Sequence, residues 1–218
     1  MLSVNELEDK LIDLAFSEDI GDGDHTTLCC IPENAMGKSH LLIKEDGILA
    51  GVEVAKKVFA RFDPEMQVEV LMGDGTPVKK GDIAMIVTGK IRSLLQTERL
   101  MLNIMQRMSG IATMTGKYVE LLKGTKTRVL DTRKTTPGLR MLEKQAVKIG
   151  GGTNHRIGLF DMILLKDNHI DFAGGIPNAI NRCHEYLKQK GLDLKIEIEV
   201  RNFDELNQVL ECGGVDRI

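Results

Sequence analysis

What the chain lacks narrows its role first. No stretch is apolar over the length that a bilayer-spanning helix needs. The formal net charge is -3, with 29 Lys and Arg against 32 Asp and Glu, so the basic excess of a general nucleic-acid binder is missing. Cysteines number 4, and Cys29, Cys30, Cys183 and Cys212 show no C-x-x-C spacing. That argues against a thiolate metal site and reads as free thiols in a reducing cytoplasm. The Walker-type phosphate loop (G-x-x-x-x-G-K-S/T) and the G-x-G-x-x-G fingerprint are both absent. Met1 to Lys10 already carries Glu6, Glu8 and Asp9 and reads as the start of a helix, not as a signal peptide. What remains is an ordinary globular composition: 218 residues, 42% hydrophobic and 28% charged, room for one large domain or two small ones.

The rhythm of the chain changes part-way along. Asn5–Ser17 predicts an amphipathic helix, with Leu7, Leu11, Leu14 and Ala15 on one face. Strands are expected over Ser39–Lys44, Met66–Leu71 and Ile83–Val87, and helices over Val52–Arg61 and Leu94–Met108, the latter stopped by Ser109-Gly110. Beyond that point strands over 128–131, 162–165 and 194–200 alternate with helices, and a further strand opens at Val215. Pro137 and Pro177 sit near helix starts, and Gly150 and Gly191 at helix ends. Asn202 with Glu205 three residues on forms a capping-box pattern. Such alternation implies parallel strands joined by right-handed crossovers. The chain reads as α/β, with a mixed α/β N-terminal domain over 1–110 and a βα-repeating domain over 111–218. Four or five C-terminal strands are too few to close a barrel, and the chain stops at Ile218 as a strand opens, so a C-terminally incomplete fragment is expected.

Chemistry gathers where two short apolar runs end. Val129-Leu130 leads into Asp131-Thr132-Arg133-Lys134-Thr135-Thr136, and Met162–Leu165 leads into Lys166-Asp167-Asn168-His169. Between them lies Gly150-Gly151-Gly152-Thr153-Asn154-His155-Arg156. In parallel α/β folds, loops at the carboxyl ends of strands converge on ligands. Arginine offers a planar fork to a carboxylate or phosphate, lysine a compact charge beside it. The threonines are read as hydroxyl donors to anionic oxygens, and the glycines as places where backbone N–H groups approach a ligand closely. The whole describes a pocket for a small, multiply anionic molecule. The competing reading is a pair of cations that salt-bridge or cap backbone at the surface. His169 alone reads as a solvated loop histidine. Glu197 and Glu199 fall on one face of their strand by the two-residue period, where they meet a metal or neutralise the cations. Arg99 and Arg107 do not stand out from the wet face of their helix. No strand ends in an acidic pair ahead of a Thr/Gly phosphate loop, so the Rossmann-type phosphoribosyltransferase pattern fails.

At these residues the chain resembles a known family. Glu98-Arg99, Leu102-Asn103, Ser109–Thr113, Asp131–Thr135, Gly151–Arg156, Leu165–His169 and Glu197–Val200, in that order, resemble the quinolinate phosphoribosyltransferases (nicotinate-nucleotide pyrophosphorylases), which are type II phosphoribosyltransferases. The resemblance implies an N-terminal α/β domain, then an open parallel α/β barrel. It implies a cytoplasmic homodimer in which Arg99 reaches across the interface. The implied reaction joins quinolinate to phosphoribosyl pyrophosphate with Mg2+, giving nicotinate mononucleotide, pyrophosphate and CO2 in NAD biosynthesis. By the same resemblance, Arg133, His155, Arg156 and Arg99 hold the quinolinate carboxylates. Lys134 and Lys166 face quinolinate or the phosphates and act in catalysis, and Glu199 faces the ribose or binds Mg2+. No nucleic acid or membrane partner is implied. Little turnover is expected of the 218-residue chain, because the family's next acidic residue and Gly-rich loop fall beyond Ile218. The alternatives are a ModD-like relative serving molybdenum uptake, and a non-catalytic anion-binding protein.

Overall fold

The computed structural model describes residues 4–218, with side chains from Glu6 onward, so the reading of Met1–Ser3 lies outside the described residues. The chain divides into two compact units, Met1–His155 and Arg156–Ile218.

In the first unit, α1 (Val4–Ile20) and α2 (His25–Cys30) precede β1 (Met36–Leu42), β2 (Gly47–Ile48), α3 (Val52–Phe62), β3 (Gln67–Val70), β4 (Pro77–Val78), β5 (Ile83–Lys90), α4 (Ile91–Leu121) and α5 (Arg140–Ile149). An antiparallel sheet runs β1-β5-β3. Its middle strand β5 buries Ala84, Met85 and Val87. These meet Val54, Ala55, Val58 and Phe59 of α3 and Met101, Ile104, Met105 and Met108 of α4 in one apolar core. Each large side chain so buried contributes roughly 1.5–3 kcal/mol.

α4 overruns the expected stop. Its 31 residues span about 46 Å at 1.5 Å per residue. Ser109 does not end it, because its hydroxyl is tied to Ala50, accepting from the N–H at 2.9 Å and donating to the carbonyl at 3.1 Å. Thr113 Oγ1 accepts from Ile48 N–H one turn on, at 2.8 Å. Gly110 faces open space, so nothing forces a break there. Tertiary bonds to the β2 segment outweigh the local cost of a glycine. α2 is a helix that sequence reasoning left unread; Asp24 caps it by accepting from Thr27 N–H at 3.0 Å.

In the second unit β6 (Ile163–Leu165), α6 (Asp167–Ala173), α7 (Ile176–Lys190), β7 (Ile196–Ile198) and α8 (Phe203–Cys212) follow one another. β6 and β7 pair in parallel, and Glu197 bridges Arg217 in parallel on the other side of β7. Leu165, Ile170, Ile176, Ile180, Ile196, Ile198 and Val209 form its own core. The mixed α/β class and the parallel pairing agree with expectation, as do the caps: Gly191 is left-handed after α7, and Asn202 accepts from Glu205 N–H. The expected strand over 128–131 shrinks to a single parallel bridge between Leu130 and Thr153, back in the first unit. Among the described residues no helix is long and apolar enough to cross a membrane.

Candidate active site

In the first unit the Leu130–Thr153 bridge brings the Arg133-Lys134 loop and the His155 loop side by side. Asp131 N–H donates to Thr153 O at 3.2 Å, and Thr153 N–H to Val129 O at 2.8 Å. The Asp131 carboxylate accepts Lys144 Nζ at 2.5 Å and the His155 backbone N–H at 2.8 Å on one oxygen. Its other oxygen accepts the Asn154 amide at 2.8 Å. Lys144 Nζ also donates to His155 O at 3.2 Å.

On this base Arg133 is half-buried, and its Nε is a fully buried donor with no partner among the described residues. A buried donor left unmatched costs free energy. Lys134 is exposed beside it, and His155 half-buried on the neighbouring loop.

The threonine oxygens shape the loop as acceptors, and each keeps its O–H to donate: Thr132 accepts from Lys134 N–H at 3.0 Å, Thr135 from Arg140 Nε at 3.0 Å, and Thr136 from Arg107 at 2.5 Å. The expectation for the glycines is corrected, because their amides are spent internally, Gly150 on Ala146 O, Gly151 on Lys148 O and Gly152 on Val147 O. Gly150 and Gly152 are small because α4 and α5 press on them: a Cβ on Gly150 would meet Ala112 O at 2.4 Å, and one on Gly152 would meet Val147 Cγ1 at 2.7 Å.

In the second unit Arg156 is buried and donates to Met162 O at 3.3 Å. Lys166 follows the buried end of β6 and pairs with Glu199 at 3.0 Å, both side chains about half exposed. The Glu199 N–H itself donates to Leu165 O at 2.9 Å, so backbone pairing at the strand ends sets this contact. His169 is exposed, as expected, but lies in α6 and not in a loop, and its Nδ1 accepts from Lys166 N–H at 2.9 Å. Glu197 is matched by Arg217 at 2.8 Å.

Arg99 is exposed on α4, with no hydrogen bond or ion pair among the described residues. Arg107 is instead held by Glu143 and Thr136. Sequence reasoning missed Lys144, Arg140 and the structural role of Asp131. A lysine within a helix carries no signal of burial, whereas an aspartate closing an apolar run just before Arg-Lys is a faint one.

The geometry can now be set beside known proteins. The family model described as quinolinate phosphoribosyl transferase, N-terminal domain, matches residues 24–109, and that for the C-terminal domain matches 111–218. A quinolinate phosphoribosyltransferase (decarboxylating) 1b from Nicotiana tabacum is 48% identical over 205 residues, covering 94% of this chain and 58% of the relative. A nicotinate-nucleotide pyrophosphorylase (carboxylating), chloroplastic, from Arabidopsis thaliana is also 48% identical, with the same coverage of 94% and 58%. The chain thus spans less than two thirds of the length of these curated relatives. Among solved structures, NadC from Streptococcus pyogenes superposes with a TM-score of 0.90 at 39% identity, covering 99% of this chain and 75% of that one.

Proposed function

Because the chain belongs to the quinolinate phosphoribosyl transferase family, we propose that it carries the machinery for transferring a phosphoribosyl group to quinolinate with loss of CO2, a step in NAD biosynthesis. The observation that carries the reading is the half-buried Arg133 beside exposed Lys134, with His155 on the loop that the Leu130–Thr153 bridge sets alongside. A flat dianion matches the planar fork of the guanidinium, and a bidentate Arg–carboxylate contact is the strongest way to hold it. Arg133, His155 and Arg156 are assigned to the carboxylates, and Lys134 to quinolinate or the phosphates. Lys166 and Glu199 are assigned to the phosphoribosyl side.

The chemistry asks for this division. The quinolinate ring nitrogen displaces pyrophosphate at the anomeric carbon, through a state with oxocarbenium character that a carboxylate such as Glu199 stabilises. Lys166, 3.0 Å from that carboxylate, holds it in place until an anionic substrate draws the ammonium away. Once ribosylated, the ring nitrogen is cationic and accommodates the electron pair left on carbon as the adjacent carboxylate departs as CO2. A proton then fills that position.

Mg2+ fits this scheme as an ion carried by the phosphates. Among the described residues no three His, Cys, Asp or Glu side chains are grouped to hold a metal. Magnesium commonly binds through one or two carboxylates plus substrate phosphates. Glu199 is the carboxylate assigned to it, and the ion's contribution is to offset pyrophosphate charge. Arg99, exposed and unmatched among the described residues, is the side chain that would complete a partner's pocket in a homodimer. The proposed location is cytoplasmic, with all four cysteines free.

The test is a calorimetric titration of quinolinate into the chain, with nicotinate as control. Saturable binding of quinolinate alone is expected, weakened by Arg133→Ala by roughly 2–3 kcal/mol, about 30- to 150-fold. Equal binding of both ligands, or indifference to Arg133→Ala, would overturn the assignment.

A further inference from the structure

Lys144 is the largest fully buried side chain among the described residues, and it is charged. It lies on α5 between Leu142 and Ala146, which belong to the apolar core. The Lys144 and Asp131 side chains are 2% and 7% exposed. Neither is assigned to substrate above. A charge buried this deeply is disfavoured unless it is matched, so its retention in a helix packed on the core calls for a reason.

The hydrogen bonds supply one. Asp131 Oδ1 holds the His155 N–H at 2.8 Å, while Lys144 Nζ holds the carbonyl of the same residue at 3.2 Å. The anion and the cation of one ion pair thus grip the two polar groups of a single residue. Asn154, one position earlier, is tied to both partners: its amide donates to Asp131 Oδ2 and to Lys144 O, each at 2.8 Å. Asp131 lies two residues before Arg133, so the same carboxylate anchors the loop that carries the guanidinium. Apolar packing cannot do this, because it is indifferent to the direction of a peptide group, whereas charge-assisted hydrogen bonds are directional and short.

We propose that Asp131 and Lys144 are a positioning pair that fixes His155 relative to Arg133, and that this spacing makes the pocket selective for two carboxylates on adjacent ring carbons. The second clause rests on the dicarboxylate reading given above; the first does not. Neither residue touches substrate. Recognition groups must be held within roughly 0.5 Å to discriminate, and the pair supplies that constraint for two side chains 22 residues apart in sequence.

The experiment has two arms, run on Lys144→Met and on the double variant Asp131→Asn/Lys144→Gln. The double variant leaves no lone buried charge and keeps hydrogen-bonding groups, so it stands in if the single variant does not fold. The first arm needs no ligand: amide hydrogen exchange at His155 is expected to quicken about tenfold or more, while Ile104 and Met105 in α4 keep their protection, the signature of local and not global opening. Unchanged exchange at His155, or loss of protection throughout the unit, overturns the pair's role even if no ligand binds. The second arm titrates pyridine-2,3-dicarboxylate, pyridine-3,5-dicarboxylate and inorganic phosphate. The preference for the 2,3-isomer over the 3,5-isomer is expected to fall about tenfold or more, and phosphate affinity to stay within about twofold. A uniform fall for all three anions overturns the selectivity claim. If the unmodified chain takes up none of them, the dicarboxylate reading fails and takes that claim with it, and the exchange arm still decides the first clause.

Discussion

Replacing Gly150 by alanine tests the packing of α4 on α5 with the least ambiguity. Gly150 has φ of -74°, a conformation open to any residue, so backbone strain is not at issue. The added methyl is. Its Cβ would lie 2.4 Å from Ala112 O and 2.8 Å from Thr115 Cβ, both on α4. A backbone carbonyl cannot rotate away, so the two helices must separate or α5 must shift. Overpacking of this kind costs about 1–3 kcal/mol, and the rigid neighbour argues for the upper end. At roughly 2–4 °C per kcal/mol for a chain of this size, the midpoint of thermal unfolding falls by about 4–12 °C. Gly152→Ala is the graded comparison: its Cβ meets side-chain methyls of Val147 and Thr115 at 2.7 and 2.9 Å, which can give, so a smaller loss is expected. Gly110→Ala is the opposite case. It lies within α4 with nothing within 4 Å of the new Cβ, and should stabilise by about 0.5–1 kcal/mol. Circular-dichroism melts of the three variants should order Gly110→Ala above the unmodified chain, then Gly152→Ala, then Gly150→Ala. A Gly150→Ala chain that melts with or above the unmodified one would refute the packing argument.

Asp63 accepts the Ser93 hydroxyl at 2.6 Å, which holds its carboxyl below the usual carboxylate range, with the Glu65 N–H assisting. A depressed folded-state pKa contributes stability that is present above the unfolded value of roughly 3.9 and is lost as pH falls through the folded value. Ser93→Ala should therefore raise the Asp63 midpoint in a carbon-13 NMR titration and narrow its stability deficit in acid; a deficit that widens below pH of roughly 4 sinks the account. Burial pushes the Cys183 thiol up, whereas Cys29, Cys30 and Cys212 are exposed. Iodoacetamide followed by mass spectrometry should label Cys183 last, and early labelling there would show that the α7 face is open. Glu8 of α1, 2% exposed, is bound by Lys57 of α3 and Gln145 of α5. Glu8→Ala should cost about 1–3 kcal/mol in denaturant melts, and a neutral result would mean that α1 docks by its apolar face alone.

The elements that sequence reasoning placed well are those whose ends are written locally. α7 carries Pro177 in its first turn and closes on left-handed Gly191, and α8 starts from the Asn202 cap, because capping acts within one turn. α4 was misjudged for the opposite reason. Its continuation through Ser109-Gly110 depends on Ala50 and Ile48, residues about sixty positions away in the chain. α6 was hidden because Lys166-Asp167-Asn168-His169 looks like a polar loop, and only the fold shows His169 turning back to accept the Lys166 N–H. The strand expected over 128–131 survives as one bridge, Leu130 with Thr153.

The site divides along the same line. Arg133, Lys134 and Lys166 were legible because an abrupt change from apolar to cationic residues at a strand end is itself a signal, whereas His155 and Arg156 follow a run of glycines and Glu199 lies within the alternation of its own strand. What holds them in register was not legible. Lys144 is indistinguishable in sequence from the exposed Lys148 on the same helix, yet one is 1% exposed and locked to Asp131 while the other meets solvent. The difference lies in which face of α5 packs on α4, and Gly150 and Gly152 fix that face by admitting no side chain there. The residue types proposed to recognise an anion are thus local information. The proposed spacing rests on a buried ion pair, and the seating of α5 on α4 on two glycines that leave no room for a side chain.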